Sequence, residues 1–459
     1  MSRFSDTAPR SACPQHPRLR RGAGAVWTVA AVLAVGALLA AEPQSIDACT
    51  AYALQHSPRL QKLQLTHEDE ELQTEVAKAV YSPRLRLDSS RANAAETDSS
   101  RATVTVPTLS GFDLSTSLAA NQDHLADDKS AAFSVRLSKQ ILGGDSSRER
   151  KFSIEETVID QAIALNGVTR LRRQLGLEVK QAFYQIIRDL QSLPVQERRL
   201  ERARKNLEQA IEREKPLDIN TARIEIPQSE LSVLAAQRAI ATGLDGLKVA
   251  IGMPVADELQ ILESFEFRPV QTNVAADLDY AAEHDEEFLN NRLERVKCQQ
   301  RVAIARTKVW PDVVLAVEQQ KDSDPPGLNL DGDGELTVSL GLAWDWRRRG
   351  EKAKLQQALN SLRENELDYY SLCQIKAQRL RELDRQLQET GRSVELQQQR
   401  IDLVSRQVEL FNDRWENGEI DILELIRSQN DLENSKVEMI SLKARYMELV
   451  AAYEFAAGR

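Results

Sequence analysis

Catalysis or metal binding by this chain would have to rest on its histidines, its cysteines, or carboxylates grouped at ligand spacing. His16, His56, His67, His124 and His284 have no second ligand at useful spacing. They read as surface residues, not as metal ligands or proton carriers. Cys13, Cys49, Cys298 and Cys373 are too scattered for a disulfide framework and match no zinc spacing; they read as unpaired structural thiols. Asn329–Glu335 looks briefly like a calcium loop, but its first ligand is Asn329 and its twelfth position is Leu340, so the pattern fails. Gly143-Gly144-Asp145 is a turn and not a phosphate loop, because no Lys-Ser/Thr follows. With no Ser/His/Asp or Cys/His constellation, the expectation is a protein that is not an enzyme and needs no metal or cofactor.

Composition points to long helices. Of 459 residues, 42% are hydrophobic, only 5% aromatic, and Gly and Pro number 19 and 15. A chain made of strands and turns throughout would want more of all three. The net charge of −10 argues against nucleic acid as a partner. At the N-terminus, Arg3, Arg10, Arg18, Arg20 and Arg21 precede an uncharged run from Gly22 to Ala41. That is the pattern of a secretory signal over residues 1–41, with an uncleaved anchor as the alternative. Those residues hold five Arg and one Asp, so the rest of the chain carries −14.

A repeat organises the remainder. Sliding the chain by 228 positions lays Ala53–Leu87 over Ala281–Leu315 without a gap, matching His56 to His284, Pro83 to Pro311 and Leu87 to Leu315. Each stretch reads as one helix of about 30 residues that stops at its proline and passes into a strand. A second strand follows in each copy: Phe133, Val135 and Leu137 alternate with Ser134, Arg136 and Ser138, and Val338–Trp346 alternates more clearly. Between the strands lie loops, Asp322–Glu335 and a longer Ser89–Ser130 with room for an extra hairpin around Val104–Leu118. The expected division is 42–265 for the first copy and 266–459 for the second, with Leu259–Asp277 as the linker.

Very long helices follow the strands. Leu380, Leu383, Leu387, Thr390, Val394, Gln397, Ile401, Val404, Val408, Phe411 and Trp415 step by three and four, a heptad seam. The earlier copy has a weaker seam through Leu175, Val179, Ala182 and Ile186, then Leu190, Leu193, Glu197, Leu200, Arg204, Leu207 and Ile211. Pro194 is expected to kink or interrupt that helix. Turns at Lys215-Pro216 and Asn417-Gly418 send each chain back along a last helix, one closing at Gly252-Met253-Pro254.

This order, helix–Pro–strand–loop–strand–Gly–long helix–turn–helix, given twice behind a signal, resembles the TolC-like outer-membrane efflux proteins. The most specific pieces are Pro83 and Pro311, Leu217–Ala222 after the first turn, Arg414–Gly418 with Glu424–Gln429 at the second, and Gly252-Met253-Pro254. The resemblance implies a mainly α fold with a small β portion. Three chains would form an α-barrel of coiled coils capped by a shared twelve-stranded transmembrane β-barrel, four strands from each. It implies a homotrimeric duct in the outer membrane, working with a periplasmic adaptor and an inner-membrane transporter. Pro83 and Pro311 would mark the helix–strand boundaries, Pro216 and Gly418 the periplasmic tips, and Trp344 and Trp346 an aromatic girdle at the membrane interface.

Family members close the tip with acidic rings after the second turn. Glu424 matches the first such position; the second is Arg427, a basic residue that departs from the pattern. Asp218 is the counterpart of Glu424 in the first copy under a shift of 206, although a shift by one helical turn fits almost as well. Solvated-surface roles for Asp218 and Glu424 remain open at this stage. A membrane-anchored coiled-coil scaffold would explain the heptads but not two matched helix–Pro–strand units. A periplasmic adaptor would be expected to carry one helical hairpin, not two.

Overall fold

The computed structural model describes residues 45–92, 97–108, 110–123, 128–143, 146–261, 267–323, 334–344 and 347–459. The expected signal at 1–41, Asp145, Trp346 and most of the calcium-like loop lie outside these residues.

Each expected 30-residue helix is two helices. In the first copy, α1 (Ile46–His56) and α2 (Pro58–Lys78) are separated by Ser57, held extended at ψ 120°. Pro58 is the reason: a proline pushes the residue before it out of the helical region and then starts a helix itself. After a short 3-10 turn, Pro83 leads into β1 (Arg84–Ala92). The second copy has α5 (Val274–His284) and α6 (Glu286–Lys308), followed after Pro311 by β5 (Asp312–Ser323). Here no proline makes the break. Asp285 does, by accepting from the Glu287 amide at 2.9 Å as an N-cap. Some positions 228 residues apart are alike in local detail. Ser45 and Asn273 cap their helices through the amides of Ala48 and Ala276. His56 stacks on Tyr52 at 4.1 Å, and His284 on Tyr280 at 4.2 Å.

The first copy departs most from expectation in its strands. The hairpin allowed for around Val104–Leu118 is present and longer, made of β2 (Thr97–Pro107) and β3 (Phe112–Asp123), and is followed by β4 (Asp128–Leu142). With β6 (Glu335–Ala343), the described residues form six strands in sequential antiparallel order, where four were expected. The signal is weak in β2, whose outward-facing positions are Ser100, Ala102, Val104 and Val106, and stronger in β3, where Leu114 and Leu118 face outward.

The long helices are α3 (Ser146–Glu212) and α7 (Arg349–Glu416), and the returning helices α4 (Pro216–Ile251) and α8 (Ile422–Ala456). At 1.5 Å per residue the 68 residues of α7 span about 100 Å. Pro194 sits inside α3 without interrupting it. The α7 seam is buried from Leu380 through Gln397 and again at Trp415, with half-buried residues between. The α3 seam differs from its expected course: Glu197 and Arg204 are exposed, while Val195, Ala203, Asn206 and Ala210 are buried. Polar partners explain the change. Arg199 pairs with Glu225 at 2.8 Å, Arg202 with Glu433 at 2.6 Å, and Asn206 with Gln429 at 2.9 Å. In the half of the helical body away from the sheet, α3 packs on α4 and α8, and α8 on α7. This makes a four-helix layer whose edges are α4 and α7. Above it, α2 and α7 form the edges around α3 and α6.

Candidate functional site: sheet wall and helix tips

The sheet has one apolar and one polar face, fixed by strand register. Leu340 pairs with Leu315, and Val338 with Val317. That face continues through Leu137 and Val135 of β4 to Leu114 and Thr116 of β3, then to Val106 and Val104 of β2, and ends at Leu85 and Leu87 of β1. Leu336, Val338, Leu340 and Leu342 are each 64–69% exposed. Among the described residues no layer covers them. Alternate residues, among them Arg86, Thr103, Ser117, Ser134, Arg136, Glu318 and Ser339, fall on the opposite face. Ser117 and Ser134 hydrogen-bond there at 2.8 Å. Arg84, Arg86 and Arg136 thus avoid the apolar face, where a charge at bilayer mid-depth would cost about 2–4 kcal/mol.

Aromatic residues gather at the end of the sheet nearest the helices. Trp344 follows β6 and is half exposed, with the Arg348 guanidinium 5.3 Å from its ring. Trp310 precedes β5 and is exposed; Phe112 opens β3 under the Lys139 ammonium at 4.3 Å. Sequence reasoning named Trp344 and missed Trp310 and Phe112, although both stand beside a strand boundary. Arg348 ties this junction together. Its backbone is left-handed at φ 36°, and its buried guanidinium donates to the carbonyl oxygens of Lys308 at 2.7 Å and Ala343 at 3.3 Å, and to that of Trp310. In the first copy Gly143 fills the matching corner at φ 90°. A Cβ there would lie 2.7 Å from the Asp312 backbone and 2.8 Å from the Pro311 carbonyl, so only glycine fits.

At the far end the two hairpins share one core of Ala210, Ala222, Trp415, Ile422, Leu425 and Ile426. Pro216 is the first residue of α4, and Gly418, at φ 79°, ends α7. Arg213, which the sequence did not single out, joins the hairpins. Its guanidinium lies 3.8 Å from the Trp415 ring and donates to the carbonyls of Trp415 and Glu416 at the end of α7. Glu424 and Arg427 are exposed on α8, whereas Asp218 is 4% exposed in the first turn of α4. Glu424 and Arg427 share one helix, and no hydrogen bond or ion pair joins Asp218 to either among the described residues.

The edges are unpartnered. α4 exposes Leu217, Ile224 and Leu231 at seven-residue spacing, and α7 exposes Leu396, Leu403 and Leu410 at the same spacing. On the upper edge α2 exposes Leu65, Leu72 and Val76. β1 and β6 each have one side unpaired among the described residues.

No family model matches the sequence, and no curated protein matches it. Solved structures do. A structure described as revealing conformational changes of CusC during folding and transmembrane channel formation superposes with a TM-score of 0.71 at 13% identity, covering 91% of this chain and 92% of that one. The outer membrane protein VceC of Vibrio cholerae gives 0.66 at 15%, covering 90% and 96%. The open state of the MtrE outer membrane channel of Neisseria gonorrhoeae gives 0.67 at 15%, covering 90% and 88%. At such identities the likeness speaks to architecture, over nearly the whole of each chain. The chain has the fold of the outer-membrane efflux channels of the TolC family.

Proposed function

We propose that this protein is the outer-membrane exit duct of a tripartite efflux or type I secretion system, passive in itself. The observation that carries the reading is a sheet with a bare apolar face set on helices about 100 Å long. Water disfavours that face and lipid suits it, while the unpaired sides of β1 and β6 are tolerable in lipid only in a closed barrel. Two tandem structural repeats, 42–265 and 266–459, supply each chain's opposite edges. α4 and α7 carry apolar stripes at equal spacing near the tips, so copies joined head to tail close into a ring, here a homotrimer. The polar face then lines the lumen, and the aromatic residues at the helix-proximal end form the periplasmic girdle. A periplasmic adaptor would dock at the tips and an inner-membrane transporter would supply the energy.

At the tip, threefold symmetry brings three exposed Glu424 side chains near the axis, where they repel one another or accept a cation. Arg427, one turn on, offers a charge of opposite sign to the same ring. Asp218 is buried in the closed tip and reaches the lumen only when the hairpins separate. In planar bilayers Glu424→Ala should raise single-channel conductance or weaken cation block; no change in either would remove the constriction role. Envelope fractionation with light scattering tests the whole reading. A trimer in the outer-membrane fraction is expected, and a soluble or inner-membrane dimer would leave only a coiled-coil scaffold.

A further inference from the structure

We infer that β2 and β3 are inserted strands of the barrel wall, so that the trimer closes an eighteen-stranded barrel rather than one of twelve. The inference rests on the duct reading and extends it to the width of the exit. Three observations carry it.

First, the 228-residue offset matches β1 to β5, since Pro83 meets Pro311, and leaves the Thr97–Asp123 hairpin without a counterpart between the two strands of the other copy. Second, that hairpin is paired into the sheet on both sides. β2 holds β1 from Arg84↔Thr105 to Ala92↔Thr97, and β3 holds β4 from Phe112↔Lys139 to Asp123↔Asp128. β4 therefore spends one edge on β3 and the other on β5, and has none left for β1. Third, the inserted strands obey the lipid-facing pattern. Val104 and Leu118 lie on the apolar face, Thr103 and Ser117 on the polar one. At 11 and 12 residues they have the length of a transmembrane strand. A plug or a surface flap would need neither the register nor the alternation.

Two added strands also keep the seam workable. With six strands per chain, β1 and β6 run in opposite directions, so the junction between chains stays antiparallel, and both edge strands are nine residues long. The turn between β2 and β3 falls at the helix-proximal end. It is closed by Thr108, whose amide donates to the Phe112 carbonyl at 2.9 Å, and Asp113 pairs with Arg150 of α3 at 2.8 Å. Three six-stranded sheets give eighteen strands. At 4.8 Å between strands and a tilt of about 40°, backbone radius rises from about 12 Å for twelve strands to about 18 Å. The exit would be half as wide again, in the size range of barrels that hold an open aqueous channel.

Site-directed spin labelling of the full-length protein in lipid vesicles tests this. Single cysteines are introduced as Thr103→Cys, Val104→Cys, Ser117→Cys and Leu118→Cys, with Val338→Cys and Ser339→Cys in β6 as the reference pair. Collision with oxygen reports lipid, and collision with a water-soluble nickel chelate reports the lumen. The expected result is alternation in all three strands: oxygen dominant at 104, 118 and 338, nickel at 103, 117 and 339. If 338 and 339 alternate while the β2 and β3 sites are all nickel-accessible, the hairpin lies outside the wall and the inference is overturned. If 338 and 339 fail to alternate, or light scattering shows no trimer, the duct reading itself fails, which is a separable result.

Discussion

Arg213 does at the tip what no seam leucine can: it satisfies carbonyls at the end of one hairpin from the end of the other, with its plane against Trp415. Charge-assisted hydrogen bonds and a cation–π contact at a half-exposed site together contribute about 2 kcal/mol. Arg213→Ala should therefore cut the protease resistance of the tip several-fold in limited proteolysis while leaving overall helicity unchanged. Nothing in the periodicity announced it, because a side chain that caps a neighbouring hairpin follows tertiary distance and not the heptad. Pro216 and Gly418 were legible for the opposite reason, since their backbone preferences act locally. Cys49 gives a second residue-scale test. It is fully buried, and burial pushes its thiol up to about 11. At pH 8 about one thiol in a thousand would be ionised. Maleimide should leave Cys49 unmodified in the native protein and label it promptly once the protein is unfolded; equal rates in the two states would contradict its place in the core.

Among the elements, α3 shows where sequence reading reaches its limit. The apolar steps through Leu175, Val179 and Ile186 were followed correctly into the core, but below Pro194 the buried line passes through Arg199, Arg202, Ala203 and Asn206. Periodicity of apolar residues cannot follow a seam made of paired charges. The consequence is energetic: Arg199 and Glu225 are each largely shielded from water, and Asn430 also donates to Glu225 at 3.1 Å. Removing one partner strands the other. Glu225→Leu should cost about 3 kcal/mol, read as a lower melting temperature of the detergent-extracted protein. The double change Arg199→Met with Glu225→Leu should recover most of it. Most of the sheet was legible. β1, β4, β5 and β6 followed from alternation and the hairpin around Val104–Leu118 was allowed for, while its full extent from Thr97 to Asp123 is evident only once register is known.

For the whole molecule, the repeat was the decisive signal and the one least dependent on any single residue. It led to the expected helix order, whereas the turns came from Lys215-Pro216 and Asn417-Gly418 themselves, and the caps at Ser45 and Asn273 are seen only in the structure. The inequality of the copies shows as a change of offset, from 228 at Pro83 and Pro311 to 206 at Asp218 and Glu424, which says that the first copy is longer but not how the extra residues fold. The apolar edges give the test at this scale. Ile224→Asp on α4 or Leu403→Asp on α7 places a charge in a stripe that is exposed in one chain and buried in the proposed ring. Either should shift the light-scattering mass from trimer to monomer with no loss of far-ultraviolet circular dichroism. A stable trimer for both would mean that copies meet through some other surface.

The bare face and bare edges of the sheet also bear on how such a protein is made. A single chain is poorly suited to water, where Leu336, Val338, Leu340 and Leu342 stand uncovered, and equally to lipid, where the free backbone groups of β1 and β6 would go unsatisfied. Folding, subunit encounter and insertion thus become one coupled event. Its rate should climb steeply with the supply of newly exported chains, and a chain waiting for its neighbours needs a chaperone to shield its sheet.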